Sequence, residues 1–148
     1  MARKSLYMEH TKISANRTAA QMSELLGQYG ARAVMTEYDD DNKIAALSFT
    51  IRVEEKDVPF RLPVRVEPVY EYLQSKHSYP YSYKESDREK AQRIAWRQIF
   101  HWMQAQFALI KTGMVRTEEV FLPYVHVGIN ETLYERIAAG NFQKALNP

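Results

Sequence analysis

Three sets of side chains in this 148-residue sequence have types and spacing suited to gripping phosphate and stacking bases. Arg52, Arg61 and Arg65 fall on alternating positions of segments that read as strands. Arg93, Arg97 and His101 recur at helical spacing, and Tyr79, Tyr81 and Tyr83 alternate around a proline in KHSYPYSYKES. Guanidinium groups offer bidentate hydrogen bonds to phosphate oxygens. Tyrosine rings stack on bases at about 1–3 kcal/mol each, and serve equally well to grip a protein partner or to cover a core edge.

Catalytic constellations are thinner. Asp39, Asp40 and Asp41 followed by Glu54 and Lys56 mimic the order of acidic residue and Glu-x-Lys in restriction-type nucleases, where carboxylates hold magnesium. His10, His77, His101 and His126 have no two-ligand spacing on one element, so no metal site is expected. There is no glycine-rich phosphate loop and no nucleophile-elbow sequence, and the absence of cysteine excludes disulfides and thiolate chemistry. The expectation is a protein without catalysis or cofactor.

The elements that position these groups follow from periodicity. In ISANRTAAQMSELLGQYGA, Ala15, Ala19, Met22, Leu25, Leu26 and Tyr29 recur at helical spacing, with Ser14 or Asn16 as cap and Gly30 as stop. Leu47, Phe49, Ile51 and Val53 then alternate with polar residues, and Phe60, Leu62, Val64 and Val66 do the same, as half-buried strands do. A hairpin turning at Lys56 and Asp57 pairs Val53 with Phe60 and Ile51 with Leu62, and sets Arg52 opposite Arg61. Like charges facing each other cost stability unless an anion, or a glutamate such as Glu67 or Glu71, lies between them.

ARAVMTEY joins this hairpin through the acidic turn DDDN to complete a meander. Pro68 suits the first turn of a short helix in EPVYEYLQSK. The longest helix runs from about Asp87 to Thr112, stopped by Gly113, with Trp96, Phe100, Met103, Phe107 and Ile110 on one stripe and the basic ridge of Arg93, Arg97 and His101 opposite. That ridge reads either as a solvated face or as a nucleic-acid footprint. TEEVFLPY reads as a helical turn, YVHV as extended, and NETLYERIAAG as a final helix capped by Asn130 and ended by Gly140. The whole reads as one α+β domain over residues 1–148, a small antiparallel meander packed against a long central helix and several shorter ones.

Charge is uneven: net +2, with no acidic residue between Glu89 and Glu118. The opening MARKSLYMEH has no apolar stretch after its positive charges, and no run reaches membrane length, so a cytoplasmic protein without membrane contact is expected. The stretches IAWRQIFHWMQAQFALIKTGMV, EEVFLPYV, TLYERIAAGNF and VPFRLPVR resemble small proteins encoded in bacteriophage and prophage genomes. The resemblance implies a viral protein acting inside a bacterial cell and brings no activity or site residues with it.

These residues together lead to a non-enzymatic binding protein for nucleic acid or nucleotides, either an accessory to replication or recombination or an anti-defence protein that sequesters a nucleotide signal. The competing reading is a protein–protein inhibitor or assembly factor acting on a host or phage protein, with the same tyrosines and arginines as its hot spot. Open sheet edges make a homodimer reasonable.

Overall fold

The computed structural model describes residues 5–76 and 86–147. Tyr79, Tyr81, Tyr83 and His77 lie outside the described residues. The fold is α+β. Helix α1 (Ala15–Gln28) leads into strands β1 (Ala31–Tyr38), β2 (Ile44–Val53) and β3 (Lys56–Pro63), which form an antiparallel meander in that order. Helices α2 (Glu67–Lys76) and α3 (Asp87–Lys111) follow. Then come α4 (Thr117–Phe121), a single 3-10 turn at Leu122–Tyr124, the short pair β4 (His126–Gly128) and β5 (Glu131–Thr132), α5 (Leu133–Ala139) and α6 (Phe142–Leu146). No helix of the described residues is long and apolar enough to cross a membrane.

Local chemistry fixes the main boundaries. Ser14 and Ser86 cap α1 and α3, each hydroxyl accepting a backbone N–H from the first turn, Arg17 and Glu89 respectively. Gly30 and Gly113 follow α1 and α3 at φ of +92° and +82°, a region that side chains with a Cβ rarely adopt.

The inner face of the sheet, Leu47, Phe49, Ile51, Phe60 and Leu62, is buried against Met22 and Leu26 of α1 and Trp96, Phe100, Met103 and Phe107 of α3. Phe121 plugs the end of this core, tilted or edge-on to Phe49, Phe60, Trp102 and Phe107. Such an aromatic side chain contributes about 3–5 kcal/mol against truncation to alanine.

The hairpin register differs from the sequence expectation. The turn is at Glu54 and Glu55, both with positive φ (50° and 68°), so Val53 closes on Lys56 and Phe49 faces Phe60. Left-handed turns of this kind match the twist of the flanking strands, and a Glu-Glu pair gives no compositional sign of them. The slip is by an even number of residues, which leaves every apolar side chain on the expected face. It removes the Arg52–Arg61 pairing: Arg52 now faces Asp57, and Arg61 faces Ser48.

The helix expected in NETLYERIAAG also departs from expectation: it is α5, Leu133–Ala139, and is not the final one, since α6 follows. Asn130, at φ of 53°, sits in the turn between β4 and β5 instead of capping. The cap of α5 is Thr132, whose hydroxyl accepts from the Glu135 N–H while the Glu135 carboxylate accepts from the Thr132 N–H.

Candidate functional site: a cleft at the start of the long helix

The sheet arginines each meet an acidic side chain, Arg61 within the fold and Arg52 and Arg65 at its surface. Arg61 donates through Nε to both oxygens of Glu37 at 3.2 and 3.1 Å, each side chain only 16% exposed, and Ser48 donates its hydroxyl to the same carboxylate at 2.5 Å. The neutralising glutamate is thus Glu37 on β1, neither Glu67 nor Glu71. Arg65 pairs with Glu135 at 3.6 Å. Arg52 lies 4.0 Å from Asp57 and donates to the Glu55 carbonyl at 3.2 Å.

The ridge on α3 is neither a solvated face nor an open footprint, because residues 5–13 and α1 lie over it. Arg93 donates to the Thr11 carbonyl at 3.2 Å. Arg97 donates to Gln21 at 2.5 Å and to the buried Thr18 hydroxyl at 3.4 Å, its guanidinium 4.7 Å from the centre of the Phe100 ring. His101 Nδ1 is 2.7 Å from the Tyr7 hydroxyl, and Gln98 donates to the Tyr7 carbonyl at 2.8 Å. Burial, with Arg97 nearby adding to it, pushes the His101 imidazole below its ordinary value.

The nuclease-like constellation is dispersed. Asp39 precedes β2 and Glu54 follows it, so the strand's length of about 30 Å separates the two carboxylate sets. Among the described residues no three His, Asp or Glu side chains converge to hold a metal ion.

A cleft of about 760 Å³ does open where α1 and α3 begin and β1 turns into β2. Its floor is apolar, from Ile44, Ala45, Val64 and Val66. One wall is the acidic turn, held rigid by Asp39, whose carboxylate accepts the backbone N–H groups of Asp41 and Lys43 at 2.9 Å each. The opposite wall is the first turns of α3, with Ser86, Arg88, Glu89, Gln92 and Arg93.

Charge in the cleft is mixed. Arg88 is committed to Glu67 at 2.7 Å and lies 4.0 Å from the centre of the Tyr70 ring. The hydrogen bond it donates holds the Glu67 carboxyl below its usual range. Asp41, Lys43 and Gln92 line the same space with no side-chain partner among the described residues. Such a cavity offers cationic, acidic and amide groups over an apolar floor, which suits a small polar molecule carrying both a flat apolar part and charge.

Of the described residues among those expected from sequence, the structure brings only Arg93 to this cleft, while Arg52, Arg61, Arg65, Arg97 and His101 lie elsewhere. Sequence reasoning did not single out Lys43 or Gln92, and took Asp41 only as part of the nuclease-like constellation. The signals at hand were the DDDN turn and the capping serines, but nothing linear joins residues of the β1–β2 turn to the first turns of α3. No family model, curated protein or solved structure matches this chain.

Proposed function

We propose that the chain is a non-enzymatic binding protein for a small nucleotide, held in the cleft between the β1–β2 turn and the start of α3. The observation that carries this reading is the presence of Asp41, Lys43 and Gln92, none with a side-chain partner among the described residues, around an apolar floor in a cavity within the range of about 300–1,000 Å³ typical of small-molecule sites. Lys43 supplies positive charge for phosphate, Asp41 and Glu89 accept sugar hydroxyls, and the floor takes a base. Polynucleotide binding is less favoured, because Arg61 and Arg97 are engaged inside the fold and Arg52 and Arg65, at the surface, each face a carboxylate. Together with the phage resemblance, this favours sequestration of a nucleotide signal over traction on a strand.

Native mass spectrometry with mononucleotides, cyclic dinucleotides and short oligonucleotides tests the reading. A discrete mass addition from a mono- or dinucleotide, weakened in Lys43→Ala, is expected. Binding of oligonucleotides alone, with steep salt dependence, would replace it with the polynucleotide version.

One observation favours a protein partner instead. Residues of α6 are all exposed, and Leu122, Ile129, Tyr134, Phe142 and Leu146 present large apolar side chains to solvent over the last part of the chain. If a partner seats there, Phe142→Asp and Leu146→Asp abolish its capture and leave nucleotide binding unchanged.

A further inference from the structure

The charges around the cleft are close to balanced, and the balance limits what a bound nucleotide can carry. Among the described lining residues four carboxylates stand against three cations. Arg88 and Glu67 neutralise each other at 2.7 Å. Arg93 turns its Nε onto the Thr11 carbonyl at 3.2 Å, so its guanidinium is held by the segment before α1. That leaves Lys43, whose ammonium has no side-chain partner among the described residues.

On the acidic side, Asp39 is occupied by the backbone of its own turn. Asp41 and Glu89 present carboxylates with no side-chain partner among the described residues. Sites for nucleoside triphosphates gather far more positive charge, from a glycine-rich cradle of backbone N–H groups, a lysine and magnesium held by carboxylates. No glycine is among the described residues that line this cleft, and no three His, Asp or Glu side chains among them converge on a metal position.

Resting on the nucleotide reading of this cleft, we infer that its ligand is a nucleotide with a single phosphate group, and that Asp41 and Glu89 select against polyphosphates. The apolar floor takes one base and Lys43 matches one phosphate. No second cation among the described lining residues is left to meet another. A further phosphate held inside a cavity of about 760 Å³ lies about a screening length or less, roughly 8 Å at physiological salt, from the two carboxylates.

Isothermal titration calorimetry of the full chain at fixed ionic strength tests this, using the nucleoside and its mono-, di- and triphosphate for each common base, with and without magnesium. The monophosphate of the preferred base should bind about tenfold tighter than its nucleoside, and affinity should then fall about three- to fivefold with each added phosphate. Asp41→Asn combined with Glu89→Gln keeps an acceptor oxygen at both positions and removes both charges. In that variant the triphosphate should regain at least about tenfold relative to the monophosphate. Both positions are exposed, and circular dichroism melting confirms that the variant folds. A triphosphate bound as tightly as the monophosphate, with or without magnesium, a nucleoside bound as tightly as the monophosphate, or an unchanged ratio in the double variant would each overturn the single-phosphate selection with nucleotide binding intact. No binding by any member of the series would overturn both that selection and the nucleotide reading.

Discussion

Along α3, the middle turns and the first turns present similar side chains to different surroundings. In the middle turns Arg97 bonds to α1 and His101 to Tyr7 of residues 5–13, so positive charge there serves to dock one part of the chain on another. Around Gln92, one to two turns earlier, the helix looks into a cavity, and Gln92 keeps its amide without a partner among the described residues. A row of basic residues at helical spacing therefore does not say whether it meets solvent, ligand or the rest of the fold. What decides is which segment lies over it.

The largest effect that separates the two regions is on stability in the middle of α3. Arg97→Ala leaves the fully buried Thr18 without its donor and Gln21 without its partner, and should lower unfolding free energy by about 1–3 kcal/mol in urea titration while leaving ligand affinity unchanged. Arg61→Ala, on the sheet, should behave in the same way at about 1–2 kcal/mol, since Glu37 would keep only the Ser48 hydroxyl. Loss of nucleotide binding in either variant, at full stability, would return these arginines to the site.

Lys43→Ala should do the opposite. Its melting temperature should match the parent, and calorimetry should show affinity for the bound nucleotide reduced about tenfold, near 1.4 kcal/mol. The smallest effect is on pH. The folded-state pKa of His101 lies below its unfolded value of 6.5, so the unfolded chain takes up the proton first. The contribution of this group is then present above pH 6.5 and declines as pH falls through the depressed folded value. Melting temperatures taken from pH 7 down to about 5 should fall more for the parent than for His101→Gln, which keeps a hydrogen-bonding group for Tyr7.

The alternation of Leu47, Phe49 and Ile51 against Ser48, Thr50 and Arg52 made the buried face of β2 readable, because period two follows from the pleat itself. The same pattern could not locate the turn, since any even slip preserves it and Glu54 and Glu55 are not residues that announce a left-handed conformation. The long helix was legible to within about a residue, its apolar stripe and Gly113 both being local signals. The fates of the arginines were not, because Thr18 and Gln21 lie 79 and 76 residues from Arg97 in the chain. The cleft draws on four separate segments, and no local rule brings them together.

The contact between Tyr7 and His101 joins positions 94 residues apart, and Gln98 reaches back to Tyr7 across 91. During synthesis the meander can form from neighbouring residues, but residues 5–13 have nothing to lie on until α3 has left the ribosome. At about 5–20 residues per second that interval lasts roughly 5–20 seconds, during which the apolar side of α1 has no helix to pack against. Residues 5–13, made well before α3, are thus among the last to settle, and a nascent chain stalled before α3 exposes α1 to chaperones and proteases.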